Sequence, residues 1–308
     1  MLPISIIILS HNRIDEIKKN LPKLLKLLPE IELIVVDNAS TDGSCEFLQN
    51  LKIMHSDFTL VLNKENRGVA GGRNSGFPLA TRSFIVSLDD DTYLPLSTLQ
   101  QLPDKFKQYQ KAGILAFKVV HSLTGVLQND HGDKPCQIAN HHGAAFAFRT
   151  QLFKNTGGID EECTFGAEEL DFSIKVRATG MEILFLPELI AYHNSQLRSE
   201  KISKLRRIRR EYNNVRVYFK YFPLSMAMRN SFRYLTWTLL SWKAEYGLSG
   251  LQHLPIAAMK GMFSGLLNHQ KIPDMVVAFY DNPLLQPEFG NVPTVRKALM
   301  GKLLKIIK

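Results

Sequence analysis

Four short apolar runs, separated by stretches with helical spacing, constrain this chain more than anything else in it. Ile4–Leu9 is continuous, apolar and β-branched, as expected of a strand buried on both faces. From Ile14 to Leu28 the apolar residues fall at Ile14, Ile17, Leu21, Leu24, Leu25 and Leu28, one face of a helix. Ile31–Val36 predicts a second strand, and Asp42–Leu51 a helix opened by an aspartate cap. Phe58–Leu62 is a third strand, after which a Gly-rich turn leads into a helix reaching about Thr81. Phe84–Leu88 is the fourth. Such alternation predicts an α/β fold, Rossmann-like, with a mainly parallel sheet flanked by helices and right-handed crossovers.

Ligands of such sheets bind at the carboxyl ends of the strands. Strand one runs into Ser10-His11-Asn12-Arg13, strand two into Asp37-Asn38-Ala39-Ser40-Thr41-Asp42, and strand four into Asp89-Asp90-Asp91. Polar and acidic groups therefore gather on one rim. Beyond a helix over Ser97–Lys111 the pattern is irregular, with short strands expected near Ile114–Val120, Gly125–Gln128 and Ala144–Arg149. A helix is predicted from Ala167 to Thr179, ended by Gly180, with a strand at Glu182–Leu186. From Ser199 to about Phe222 the pattern is helical and basic; further helices are expected around Ser225–Tyr246, Pro255–Leu267 and Val292–Ile307. The expected division is a catalytic domain over residues 1–196 and a basic helical region over 197–308.

Charge follows that division. From Leu197 onward there are 19 Lys/Arg against 6 Asp/Glu, a net of +13 within an overall +9. An anionic partner for the C-terminal part is the natural reading. No apolar run approaches the ~20 residues of a spanning helix, and the apolar N-terminus lacks a basic leader, so it reads as a buried strand. Three widely spaced cysteines without a CxxC (Cys45, Cys136, Cys163) fit reduced thiols in a cytoplasmic setting, not a disulfide framework or structural zinc site.

Four features carry chemistry. Asp89-Asp90-Asp91 at a strand end concentrates negative charge that must be solvated or met by a cation, and hard oxygen ligands suit Mg2+ or Mn2+. A solvated acidic turn, or a cap on the following helix, is the plain alternative. Asn66–Gly76, with glycines opening a helix and two arginines, offers backbone N–H groups to a phosphate. Such glycines more often mean only tight packing, and the stretch matches neither GxGxxG nor a P-loop. Gly166-Ala167-Glu168-Glu169-Leu170-Asp171 places carboxylates where one could act as general base, although acids in a first helical turn also complement the helix dipole. His193, in AYHN, is a possible ligand for a Mn2+-type ion; a lone histidine is usually structural.

In their order and spacing, SHNR, VVDNASTDGS, NRGVAGGRNSG, SLDDD, GGIDE…EELD and AYHN resemble the family 2 glycosyltransferases of the GT-A fold, from about Ile4 to Asn194. Beyond Ser199 the likeness is only to the helical tails of rhamnosyltransferase-like bacterial members. The resemblance implies inverting transfer from a UDP- or dTDP-linked sugar, with a metal on the leaving diphosphate. It implies further that Asp37 contacts the donor base and that Ser10, Asn12 and Arg13 lie in the loop over the nucleotide. Arg73 would close on the nucleotide, and Asp89, Asp90 and Asp91 form the DXD motif, with Asp90 at its middle and Asp89 and Asp91 at its metal-binding outer positions. His193 would add a metal ligand. Glu169 stands where the family usually has the aspartate of an ED pair, its catalytic base. The pair here is Glu168-Glu169, so Glu168 and Asp171 stay open as alternatives.

The expected partners are a nucleotide-diphosphate sugar and a glycan or lipid-linked acceptor, with an anionic membrane surface and a second copy as candidates. The expected location is cytoplasmic, peripheral on the inner face of the plasma membrane if the basic tail docks there. A nucleotidyltransferase is the nearest enzymatic alternative, but Ser10–Arg13 has no glycine for a phosphate loop. A nucleic-acid-binding module is prompted by Lys204–Arg210, yet the aromatics that follow (Tyr212, Tyr218, Phe219, Tyr221, Phe222) suit a membrane interface at least as well. No nucleic acid is expected.

Overall fold

The computed structural model describes residues 1–194, 204–246 and 252–282. The chain divides into two compact units, Met1–Glu200 and Lys201–Lys308. The helix expected over Val292–Ile307, with its basic residues Arg296 to Lys308, lies outside the described residues.

The first unit runs β1 (Ile4–Ser10), α1 (Ile14–Leu25), β2 (Glu32–Asp37), α2 (Ser44–Met54), β3 (Thr59–Leu62), α3 (Gly68–Gly76), β4 (Phe84–Asp89), β5 (Thr92–Tyr93), α4 (Leu96–Gln108), β6 (Ala112–His121), β7 (Cys136–Gln137), β8 (Ala145–Arg149), α5 (Gln151–Thr156), α6 (Glu168–Ala178) and β9 (Glu182–His193). Nine strands form one sheet in the order β3-β2-β1-β4-β8-β6-β9-β5, with β7 paired to β9. The β3-β2-β1-β4 half is parallel. β8 then runs antiparallel between β4 and β6, and β6 and β9 are again parallel.

Strand alternation assigns the two faces. Ile6 and Ile8 of β1, with Leu33 and Val35 of β2, join Leu21 of α1, Leu48 of α2 and Leu102 of α4 in one buried cluster. The intervening residues meet α3. A methyl on Gly76 would lie 2.8 Å from both Ile7 and Val36, and one on Gly72 would strike Leu9. Glycines four apart thus bring the α3 backbone directly onto β1 and β2, so their first role is close packing. On the same face Phe148 meets Phe77 (centroids 5.0 Å apart) and Phe172 of α6 (5.2 Å).

Several elements differ from expectation for identifiable reasons. α3 stops at Gly76 and a tighter turn, Phe77–Leu79, follows, because Pro78 cannot donate to a continuing helix. Gly125–Gln128 is a loop with one bridge, Val120–Leu127; His121 Nδ1 accepts the N–H groups of Leu123 and Thr124 and turns the chain. β9 does not end at Leu186. Its pairing with β6 shifts register between Phe117 and Lys118, which leaves Pro187–Leu189 as a bulge, and the strand resumes to His193. A bulge tolerates the missing N–H of Pro187.

The second unit holds α7 (Lys204–Tyr221), α8 (Leu224–Tyr246), α9 (His253–Leu267) and α10 (Asp274–Asp281). α7 is not the basic surface expected of it. Lys204, Arg206 and Arg209 are exposed, but Arg207, Arg216 and Lys220 are buried, and so are Tyr218, Phe219, Tyr221 and Phe222. These four aromatics pack inward and are unavailable to a membrane interface, while Tyr212 is half-buried. Arg207 and Arg210 turn towards Glu211, itself wholly buried, at 3.4 and 3.3 Å. Among the described residues no helix is long and apolar enough to cross a membrane.

Candidate active site

Register levels the strand ends. Ser10 stands opposite Asp37, and Leu9 opposite Asp89, so the loops after β1, β2 and β4 open onto one rim. β5 returns immediately after the acidic run and pairs with the end of β9, Thr92 opposite His193. The Asn194 N–H also donates to the Asp91 carbonyl at 2.9 Å. Those two contacts carry His193 across the sequence to the aspartates, and the bulge in β9 makes them reachable.

Asp89, Asp91 and His193 each present a ligand atom, and all three atoms lie within 4.8 Å of one another. His193 Nε2 is 3.0 Å from Asp91 Oδ1, and its Nδ1 is 2.6 Å from Gln128 Oε1. The amide oxygen only accepts, so the hydrogen belongs on Nδ1 and Nε2 faces the cluster. Burial disfavours the imidazolium, but the Asp91 hydrogen bond and charge outweigh it and raise the His193 pKa. Burial likewise pushes Asp91 up, while His193 and Arg13 hold it below the usual carboxylate range. Two carboxylates and one imidazole are a donor set that fits Mn2+ or Mg2+.

Asp90 faces away from this cluster. Its carboxylate accepts from Ser10 Oγ at 2.7 Å and pairs with Arg13 Nε at 3.2 Å, and burial lifts its pKa to about 7 against both partners. Arg13 reaches on to Asp91 Oδ2 at 2.6 Å. Ser10 and Asp90 therefore lie beneath the rim and hold the loop after β1, with Arg13 spanning the two aspartates. Asn12 is exposed and clamps the first two loops together: its Oδ1 accepts from Thr41 N–H at 2.7 Å, and its own N–H donates to Ser40 Oγ.

Asp37 is buried, accepts from the Ser40 N–H through Oδ2, and has no partner at Oδ1. Arg73 is 2% exposed; its Nη2 donates to Asp89 Oδ1 (3.0 Å) and the Gly143 carbonyl (2.7 Å), while Nε and Nη1 have no hydrogen-bond partner. Unpaired buried polar atoms are costly, and those of Asp37 and Arg73 suit an incoming ligand with donors for one and anionic oxygens for the other. A Cβ at Gly143 would take the space of Glu169 Oε1, so a side chain there would move the Glu169 carboxylate.

Of the three candidate bases, Asp171 is committed elsewhere. It is wholly buried, accepts from the Asp160 N–H and pairs with Lys175 Nζ, each at 2.9 Å. Glu168 is buried with Oε2 unpartnered; burial, and then the neighbouring Glu169, hold its pKa well above the usual range. Glu169 is half-buried on the rim.

Strain marks the same place. Among the described residues three non-glycines have left-handed backbone: Asn12 (φ 53°), Ala39 (φ 61°) and Ala167 (φ 68°). They follow β1, follow β2 and precede α6. Each such conformation costs about 1–3 kcal/mol, and such costs cluster at functional sites.

The sequence reading missed Gln128, Gly143 and Asn38. Asn38 adjoins Asp37 and ties the loops together, bonding Asn63, Asn66, the Gly68 carbonyl and the Arg67 N–H. The helix start is correspondingly occupied by protein: Gly68 N–H donates to Asn66 Oδ1 and Val69 N–H to the Thr164 carbonyl. Nothing in the local sequence marks Gln128 or Gly143, which matter through residues far along the chain.

A mixed, mostly parallel sheet flanked by helices, with acids at the end of its fourth strand, is a GT-A fold. The chain belongs to glycosyl transferase family 2, whose sequence pattern matches residues 5–166. It is similar to poly-beta-1,6-N-acetyl-D-glucosamine synthase of Staphylococcus epidermidis (strain RP62A), 30% identical over 111 residues, 36% of this chain and 27% of that one. The synthase of Staphylococcus aureus (strain MSSA476) gives the same identity over the same length. The match thus spans little more than a quarter of these relatives. Among solved structures, the mannosyltransferase PcManGT from Pyrobaculum calidifontis, in complex with GDP-Man and Mn2+, superposes with a TM-score of 0.56 at 20% identity, covering 99% of this chain and 86% of that one. S. aureus TarS 1–349 in complex with UDP-GlcNAc gives 0.61 at 16% identity, covering 89% and 83%. At these identities the likeness is one of fold.

Proposed function

We propose that this protein transfers a sugar, with inversion, from a nucleotide-diphosphate donor to a hydroxyl of a glycan or lipid-linked acceptor. One observation carries the reading: Asp89, Asp91 and His193 converge at the end of β4, beside a buried Arg73 with unused donors and the Glu168-Glu169 pair. Solved relatives with this fold hold a nucleotide sugar, as UDP-GlcNAc or as GDP-Man with Mn2+.

Asp89, Asp91 and His193 would hold Mn2+ or Mg2+, which when bound supplies Lewis-acid stabilisation of the departing diphosphate. The unpaired Asp37 Oδ1 accepts from the N–H of a uracil or thymine base, which is the basis for a UDP- or dTDP-linked donor. Arg73 offers Nε and Nη1 to anionic oxygens from a dry, fixed position, where preorganised charge counts most. Arg13, paired with Asp90 and Asp91, adds positive charge on the diphosphate side of the site. Ser10 and Asp90 fix the loop beneath it, and Asn12 holds that loop against the next.

Glu169 takes the proton from the acceptor hydroxyl as its oxygen attacks the anomeric carbon and the diphosphate leaves from the opposite side. A base must be ionised and within reach of substrate. Glu169, half-buried, takes that role in this reading, whereas Glu168 is enclosed, with its pKa held well above the usual range by burial and then by Glu169, and shapes the wall behind.

A donor screen reading nucleotide-diphosphate release with Mn2+ or Mg2+ tests the whole. Asp91→Ala is expected to abolish release with the fold retained; full activity of this variant in EDTA would remove the metal-assisted mechanism. Glu169→Gln should lower turnover by roughly 10²–10⁴-fold with donor affinity little changed. Inactivity of Glu168→Gln alone would move the base by one residue.

A further inference from the structure

Helix α9 hides its small residues and shows its large ones. Leu254, Ala257, Gly261 and Gly265 are buried, and the two glycines lie against the backbone of α7. A methyl on Gly265 would sit 2.5 Å from the Arg216 carbonyl oxygen, and one on Gly261 would strike the Tyr212 carbonyl. The opposite face carries Ile256, Met259, Phe263, Leu266 and Leu267, all exposed, Phe263 at 56% and Leu267 at 86%. Lys260 is the one charged residue among them. α8 repeats the pattern with Leu224, Met228 and Phe232 exposed at intervals of four, beside the exposed Arg229 and Arg233.

A helix washed by water presents polar residues outward. Small residues within and bulky apolar ones without is the arrangement of helices whose outer face meets lipid. A patch of this composition marks an interaction surface. Three facts choose the occupant. The helix has 15 residues, about 22 Å, too short to cross a bilayer, so it lies along the surface. Lys260 can extend its stem over apolar neighbours and place its ammonium at the headgroups. Residues 197–308 carry a net charge of +13, which attracts an anionic surface and repels a second copy bearing the same charge.

We propose that α9, with its outward face embedded among the headgroups of an anionic bilayer, holds the protein on the membrane in the plane of the surface. The attachment is independent of the donor chemistry. It relocates the membrane contact from α7, whose aromatics and inner cations are buried, to a face built of aliphatic side chains, Met and Phe.

The test is flotation of the full chain with phosphatidylcholine vesicles and with vesicles also containing phosphatidylglycerol, at low and high salt. The wild-type chain is expected to float with the anionic vesicles, weakened by salt but not released entirely, since the inserted apolar groups are not screened. Met259→Glu with Phe263→Glu should reduce the bound fraction by about tenfold or more, at an unchanged melting temperature. Lys260→Gln should lower binding only at low salt. Wild-type chain that ignores both vesicles overturns the proposal. In that case a lower melting temperature of the double variant assigns the face to cover within the chain, and a concentration-dependent dimer lost in that variant assigns it to a second copy. Double-variant binding equal to wild type overturns it equally.

Discussion

Two glutamates, one in each unit, are buried almost completely and treated in opposite ways. Glu211 in α7 faces Arg207 at 3.4 Å and Arg210 at 3.3 Å, accepts from Thr238 Oγ1 at 3.3 Å and is bonded by the Tyr234 hydroxyl. Glu168 in α6 has one oxygen turned to its own backbone amide and the other without a partner, and its neighbours include the acids Glu169 and Asp89 as well as Arg73. A buried charge surrounded by cations and hydroxyls belongs to the architecture. A buried carboxyl left unsatisfied beside other carboxyls belongs to a site, because folding alone gives no reason to keep it.

The contrast can be broken at three points. Glu211→Ala should have the largest effect, since it strands the buried Arg207 and removes the partner of the half-buried Arg210; a loss of about 3 kcal/mol or more is expected. Urea denaturation measures it, and a loss under about 1 kcal/mol would mean the network is not structural. Donor turnover of the protein that remains folded should be unaltered.

Arg73→Met comes next. It removes the cation beside Glu168 and Asp89 and the donors aimed at the rim, while keeping most of the side-chain volume. kcat/KM should fall by about 10²-fold or more, with little change in melting. Wild-type kcat/KM would show that the unused Arg73 donors face nothing that reacts.

Glu168→Gln has the smallest expected effect of the three, and its effect on stability is opposite in sign to that of Glu211→Ala. The folded protein holds the Glu168 proton above the usual carboxylate range, while the unfolded chain releases it within that range. Wild-type stability therefore declines as pH rises from the ordinary Glu range towards the raised folded value. Glutamine has no proton to lose. The variant should melt a few degrees higher than wild type at neutral pH, with the difference closing as pH falls through the ordinary range. A variant that melts lower at neutral pH would place Glu168 with Glu211 among the structural acids.

Much of the first unit was legible from residue order. The alternation of β-branched runs with helical spacing located β1, β2, β3 and β4 to within a residue or two: β1, β2 and β4 are buried on both faces and read as nearly continuous apolar runs, while β3 lies at the sheet edge. The acids at the end of β4 stood out for the converse reason. His193 as a partner of those acids came from resemblance, and the residue itself gave no local sign. Its strand was expected to stop at Leu186, and only the bulge at Pro187–Leu189 takes β9 on to the cluster. The glycines of α3 admitted two readings, phosphate approach and tight packing; the methyls of Ile7 and Val36 against Gly76 assign them first to packing.

The second unit reversed the surface reading, and the reason is general. Composition counts charges, but a long cationic side chain on a helix can point either way. Which way is decided by packing: Glu211 of α7 itself draws in Arg207 and Arg210, and it is buried against Thr238 and Tyr234 of α8. By itself the sequence determined the strands, the helix order, the rim at the strand ends and the net charge of each part, since these depend on local pattern and on sums. Tertiary structure alone decided that Asp90 turns inward while Asp89 and Asp91 meet His193, that Glu168 is enclosed and Glu169 is not, and that α7 buries its aromatics while α9 exposes its apolar face. Those outcomes depend on pairings between residues tens to more than a hundred positions apart, and no local window of sequence contains both partners.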